Sequence, residues 1–282
     1  MQKLSVLLFC LAFSYSLNAQ FVDLGFSFGG MFYSGDISPG DPRAMIQEMM
    51  PAGGVFCRLS PTNSFSTRFS LNLGSVQGDD LRNNRESRGL SFRTNITEFS
   101  VIGEWHAWRI RHTEYSFTFP YLFGGVGVYH FVPRTEVDGE WVELQPLGTE
   151  GQGILGYEQP YKLTQFHAPL GMGVKFITRK FTFGLEFGAR FLTHDYLDDV
   201  SGAEVNHRDI FINNGPLAAR LSSPSLGGEE GVDRNYRRGV TSRDWFYMMN
   251  ITVSYNFGEG LNKMLSDPVP CPKWFKPSGR RL

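Results

Sequence analysis

The chain has 282 residues, in which 27 Lys and Arg stand against 28 Asp and Glu, a formal net charge of −1. So even a balance argues against a nucleic-acid partner, whose phosphates require a basic footprint. Beyond the first 20 residues no stretch approaches the roughly 18 consecutive apolar residues of a membrane helix, which excludes a helical membrane protein. Gly (32) and Phe (25) are unusually abundant.

The chain opens MQKLSVLLFCLAFSYSLNAQ, with Lys3 ahead of an apolar run from Leu4 to about Phe13 and the small Ala19 before Gln20. This reads as a secretory signal peptide over residues 1–19. A membrane anchor is the weaker reading, because the run falls short of the roughly 20 residues that span a bilayer. Cys10 follows Leu8-Phe9, without the small residues that lipoprotein processing needs. The mature chain keeps only Cys57 and Cys271, so no disulfide framework holds an exported fold together.

From Phe21 the pattern alternates. Val22, Leu24, Phe26, Phe28 and Phe32 share one face, and Asp23, Gly25, Ser27 and Gly29 the other. Period two marks a strand with one apolar and one small or polar face. The pattern returns in SFSTRFSLNLGS (Phe65, Thr67, Phe69, Leu71 and Leu73 against Ser66, Arg68, Ser70 and Asn72) and in FTFGLEFGARF from Phe181 to Phe191. It is clearest in RDWFYMMNITVSYNF, where Trp245, Tyr247, Met249, Ile251, Val253, Tyr255 and Phe257 oppose Asp244, Asn250, Thr252, Ser254 and Asn256. Weaker strands are predicted at Gly53–Ser60, about Thr94–Ile110, Tyr115–Phe131 and Gln165–Thr178, which makes about eight. Of these, Gly53–Ser60 has only a short apolar face, Val55, Cys57 and Leu59.

A soluble sandwich also alternates. The connections decide, because long links (34–52, 75–90, 132–163, 193–242) alternate without a break with short ones (SPTN, RHTE, TRK). That predicts an all-β fold, an eight-stranded antiparallel transmembrane β-barrel over residues 20–257 with short periplasmic turns and long outer loops. Trp105, Trp108, Tyr115, Tyr129 and Trp245 are expected as interfacial girdles. An eight-stranded barrel is about filled by its own side chains. Glu98, Glu104, His106, Lys175, Glu186 and Arg190 are expected to point inward and pair as a plug.

Two loop motifs carry candidate chemistry. HDYLDDVSG (194–202) offers Asp195, Asp198 and Asp199 as hard oxygen ligands for calcium, without the spacing of an EF-hand loop. The alternative is a structural turn in which the aspartates bond nearby amides while Tyr196 and Leu197 pack onto the rim. LQPLGTEGQG (144–153) lacks the Lys-Ser or Lys-Thr of a phosphate loop and reads as an ordered turn over the barrel mouth. The histidines show no HExxH spacing and no GxSxG occurs, so a lipase or protease has little support. No cofactor is implied.

After Phe257 the chain continues as GEGLNKMLSDPVPCPKWFKPSGRRL, in which Lys263, Lys273, Lys276, Arg280 and Arg281 face only Glu259 and Asp267. An even strand count puts this tail, residues 258–282, in the periplasm. Two readings stand: a solvated disordered tail, or a docking segment. In the second, Trp274 and Phe275 anchor while Lys273, Lys276, Arg280 and Arg281 select an acidic partner.

LQPLGTEGQG, HDYLDDVSG and the closing RGVTSRDWFYMMNITVSYNF with its CPKWF tail together resemble the PorG family of outer-membrane proteins, part of the type IX secretion system of Bacteroidota. The resemblance starts at the YSGD of Tyr33 to Asp36 and covers nearly all of the mature chain. It implies an eight-stranded outer-membrane barrel associated with the periplasmic ring of the PorK lipoprotein and PorN. That ring helps export proteins with a C-terminal sorting domain and supports gliding motility in some members. The family brings no catalytic residues. The chain departs from it in an enlarged fourth outer loop, INNGPLAARLSSPSLGGEEG (212–231), whose low complexity reads as a mobile insertion. The expected role is a non-enzymatic secretion component; the alternative is a surface ligand-binding protein or narrow pore.

Overall fold

A computed structural model describes residues 21–257 apart from 83–84, 86–87, 114–115 and 241–242. The expected signal peptide and basic tail lie outside the described residues. In chain order the elements are β1 (Phe21–Ser34), α1 (Pro42–Gln47), β2 (Met50–Ser60), β3 (Phe65–Asp79), β4 (Ser91–His106), β5 (Ile110–Thr113), β6 (Ser116–Val137) and β7 (Glu140–Glu143). They continue with β8 (Thr164–Ile177), β9 (Phe181–Leu192), β10 (Glu204–Asn206), α2 (His207–Asn214), α3 (Pro216–Ser222), β11 (Asn235–Arg237) and β12 (Trp245–Phe257).

Eight strands are hydrogen-bonded antiparallel in the order β4-β3-β2-β1-β12-β9-β8-β6, and β6 pairs back onto β4. The sheet is therefore a closed barrel with no free edge. β5 and β7 are short hairpin partners at the two ends of β6. The strand with the short apolar face begins earlier than its pattern indicated, at Met50, and pairs with β1 from Phe21↔Ser60 to Met31↔Met50.

Burial along the strands is inverted relative to a soluble protein. Phe28 is 61% exposed, Phe166 70% and Ile251 59%, whereas Asp23, Glu98, Glu104, Arg190 and Lys175 are buried inside. An apolar outer band around a polar interior is what hydrocarbon selects, and it separates a membrane barrel from a sandwich. The inward glycines explain the paired abundance of Gly and Phe. A Cβ on Gly188 would fall 2.7 Å from the ring of the inward-facing Phe123, and one on Gly173 would fall 2.6 Å from Tyr121. Phenylalanine coats the outside, while glycine makes room for the few large rings within.

Two expectations need correction. Tyr129 does not join a girdle: its parity on β6 turns it into the barrel, where it is fully buried. Residues 212–231, expected as a mobile insertion, instead hold the end of α2 and all of α3. Asn206 caps α2 by accepting from the amides of Arg208 and Asp209, and Gly215 at φ +92° separates it from Pro216 at the start of α3. Ile210, Ala218 and Ala219 then bury against Val205, Leu147, Tyr157 and Tyr236. Trp105 and Trp108 are exposed near the short-turn end as expected, and Trp245 meets Phe191 edge-on at 4.3 Å near the other end. Tyr115 lies outside the described residues.

Candidate functional site

The barrel interior is stratified. Toward the short turns lies a charge plug centred on Glu104, which receives Arg58 Nε at 3.1 Å, Lys175 Nζ at 2.5 Å and Arg68 Nε at 3.4 Å. Arg58 also holds Asp23 at 3.1 Å, while Arg68 and the Tyr121 hydroxyl both bond Glu186. Three cations thus balance three carboxylates. Above them Glu98 accepts from Arg190 Nε at 3.1 Å and from Asn72 at 3.0 Å. All six side chains expected inside are there. Asp23, Arg58, Arg68 and Tyr121 also belong to the plug and are not among those six, although alternation puts Asp23 and Arg68 on the polar face. Buried charges of this kind persist only when paired and hydrogen-bonded.

Farther up, the barrel is sealed by an apolar cluster to which both wall and loops contribute. Met31, Val76, Phe92, Ile96, Phe131, Phe246 and Met248 come from strands, and Ile37, Leu90, Leu144, Leu197 and Val200 from the long loops.

Over the cluster lies the loop cap, where the two motifs meet. Asp199 sits in the left-handed region at φ 63°, which short polar side chains tolerate. That conformation turns Asp198 and Asp199 toward different partners. Asp199 accepts from the Tyr161 hydroxyl at 2.6 Å and from Thr149 Oγ1, and pairs with Arg238 at 3.3 Å. Glu150 accepts from the Ser201 amide at 2.8 Å and its hydroxyl at 2.5 Å. Thus LQPLGTEGQG grips HDYLDDVSG through Thr149 and Glu150, and the buried Arg238 NH1 bonds Thr149 and the Asp199 carbonyl across the joint.

Asp198 takes the Val200 amide on Oδ1 at 3.0 Å, an Asx-turn, and faces the Tyr33 hydroxyl with Oδ2 at 2.6 Å. Leu197 is fully buried, and Tyr196 stacks on Tyr161 at 4.6 Å. Asp195 is close enough to Asp244 to act on it electrostatically. The carboxylate oxygens of Asp198 and Asp199 that would serve calcium are thus engaged by protein donors. Among the described residues no three His, Cys, Asp or Glu side chains converge on one point. Asp244, Tyr33 and Arg238 are the cap residues that sequence reasoning missed. A cleft of about 410 Å³ opens beside the cap between residues 89–91, 135–138 and 220–228, with Asp198 and Arg238 in its lining.

Burial pushes the cap's acids up: Asp199 and Asp36 are raised, and Glu150 is raised to about 7 although Arg238 pulls against the shift. Burial lowers the His194 imidazole to about 4. The Tyr196 amide donates to its Nδ1 at 3.1 Å, so the proton of the neutral ring lies on Nε2, which meets the Tyr129 hydroxyl at 2.6 Å. The two shifts oppose each other. A depressed histidine costs the cap stability as pH falls from 6.5 to about 4, whereas a raised Glu150 adds stability as pH falls from about 7 to 4.5. With Asp199 and Asp36 raised as well, acidification should stabilise the native cap, and more so in a His194→Phe variant, which lacks the opposing shift. Protease resistance of loop 193–244 between pH 7 and 4 would show this, and an unchanged profile in the variant would contradict it.

Lys273, Trp274, Phe275, Lys276, Arg280 and Arg281 lie outside the described residues. The described chain ends with Phe257 of β12 opposite Val22, at the short-turn end. At that rim Arg111, His112, Arg179 and Lys180 are exposed.

Fold and site together define a small outer-membrane β-barrel, closed by its own side chains and capped by ordered loops. Residues 2–215 match the family described as Domain of unknown function (DUF6089), and the chain belongs to it. No curated protein matches the chain. Among solved structures it is similar to the outer membrane protein OprG from Pseudomonas aeruginosa, at 12% identity and a TM-score of 0.40, covering 84% of this chain and 94% of that one. It is likewise similar to Neisserial surface protein A (8% identity, TM-score 0.39, 84% and 97% covered). A third is the N-terminal β-barrel domain of Pseudomonas aeruginosa OprF (10% identity, TM-score 0.34, 83% and 97% covered). At these identities the likeness concerns the fold alone.

Proposed function

We propose that this barrel is a non-enzymatic outer-membrane component of the type IX secretion system, anchoring or positioning the periplasmic PorK/PorN ring for protein export and, in gliding bacteria, for motility. The observation that carries the reading is a filled barrel whose last described strand ends at Phe257, at the short-turn end that also exposes Arg111, Arg179 and Lys180. An eight-stranded interior is about filled by its own side chains, which supports a function carried by the surfaces. In a barrel of this class the short turns face the periplasm and the long loops the cell exterior. The rim and Lys273, Lys276, Arg280 and Arg281 then present cations to an acidic partner, with Trp274 and Phe275 as apolar anchors.

Affinity purification of the tagged protein from detergent-solubilised outer membranes, against an unrelated barrel as control, tests this. Ring components should be recovered, and deletion of residues 258–282 should abolish their recovery while leaving membrane insertion intact. Loss of insertion on deletion would count against a docking role, and a clean barrel without periplasmic partners would count against the ring. The cleft beside the cap favours a second reading, a surface protein that binds a ligand through its outer loops. Conductance of reconstituted protein should stay near the lipid baseline under either reading, which separates both from a narrow pore.

A further inference from the structure

The Tyr33 hydroxyl lies 2.6 Å from Asp198 Oδ2 and 2.7 Å from Asp244 Oδ1. Both are hydrogen-bond distances, yet a phenol has one proton to give. If it donates to one carboxylate, the other oxygen meets a lone pair of the hydroxyl in a site where all three side chains are buried. Two like-charged acceptors held that way in a low dielectric repel, so a second proton is required. It cannot sit on the remaining carboxyl oxygens, because Asp198 Oδ1 accepts from the Val200 amide at 3.0 Å and Asp244 Oδ2 from the Leu197 amide at 2.8 Å. The count closes only with the proton on one of the two oxygens that face Tyr33.

We propose that a single proton, shared by Asp198 and Asp244 through the Tyr33 hydroxyl, is a latch that clasps the two ends of the longest loop, 193–244, to the barrel wall. Asp198 stands near the start of that loop, Asp244 is its last residue, and Tyr33 belongs to β1, so one proton ties three segments distant in sequence. The proposal is independent of the secretion reading.

The surroundings favour the protonated form. Burial raises both carboxyls well above the usual carboxylate range, helped at Asp244 by Asp198 and Asp195, and at Asp198 by Asp36. The opposing charge is Arg238, which is committed to Asp199 and Glu150, with Arg88, which is bonded to Asp80. The remaining titratable neighbours are Tyr129, which feels Asp244, and Tyr161, which feels Asp198. Because the pair binds its proton more tightly folded than unfolded, the latch is complete at low pH and is lost as pH rises through its folded titration point.

The test uses the full-length barrel refolded into lipid. Infrared difference spectra at neutral pH, wild type minus Asp244→Asn and wild type minus Asp198→Asn, should each contain a protonated-carboxyl stretch. In either variant the amide nitrogen donates to Tyr33 and its oxygen accepts the backbone amide, so the clasp holds without a titrating proton. Trypsin cleavage within loop 193–244, taken as a wild-type to Asp244→Asn ratio at each pH, should rise about tenfold per pH unit above the titration point, as the open fraction follows ionisation. Heat-dependent gel mobility confirms that each variant is folded. Difference spectra without the acid band overturn the proposal, as does a band that persists in both variants.

Discussion

Replacing Glu104 with alanine should lower the stability of the folded barrel by about 3–5 kcal/mol, the usual cost of removing one partner from a buried ionic cluster. Glu104 accepts from Arg58 and Lys175 and forms an ion pair with Arg68, and nothing else in the plug could take all three. Its loss leaves three cations against Asp23 and Glu186 in an interior with no bulk water to screen them. Most of the penalty is the stranded charge rather than the lost bond. A double variant, Glu104→Gln with Lys175→Met, removes one charge of each sign at similar volume and should recover a large part of the loss, since well-packed apolar replacements of buried pairs are often neutral. Urea titration of tryptophan fluorescence in lipid vesicles reads both effects. If the alanine variant were as stable as wild type, the plug would contribute nothing and the apolar cluster above it would hold the barrel alone.

The membership of that plug was legible in part, and the reason is geometric. Period-two alternation assigns each residue to a face, so Glu98, Glu104, His106, Lys175, Glu186 and Arg190 could be placed inside from the sequence alone. Which of them meet depends on how strands stagger around the barrel. Arg68 pairs with Glu186 across 118 residues, and no local pattern encodes that meeting. Tyr129 shows the opposite failure. The preference of tyrosine for interfaces argues for a girdle, but the parity of its strand sends Tyr129 inward beside Phe131. The loop cap was legible as two ordered turns, and so it is. The joint between them was hidden, because it needs Arg238 from the far end of the longest loop and residues in left-handed or Asx geometry. Around the stretch 212–231, polar composition masks the local signals for helices: an Asn206 cap just upstream, Gly215-Pro216 as a break, and Ala218-Ala219 as a seat against Val205.

Arginine at position 185 should destabilise the barrel in a bilayer by about 2–4 kcal/mol, the cost of a cation on the lipid face near the midplane. Leu185 is 52% exposed on the outer face of β9. Its register partner is Ile251, which in turn lies opposite Phe28, and all three point outward. Along β9 it is flanked by Phe181 and Phe183 on one side and Phe187 and Phe191 on the other, so it occupies the middle of the apolar band. Were this face in contact with water, the same substitution would be an ordinary surface change, worth no more than about 0.5 kcal/mol either way. The comparison needs a position that is equally open but outside the band, and Val240 in the longest loop, at 66% exposure, supplies it. Val240→Arg should leave stability in the same vesicles nearly unchanged. Reversible unfolding of both variants therefore separates lipid from water as the solvent of the outer face, because only hydrocarbon penalises one guanidinium and ignores the other.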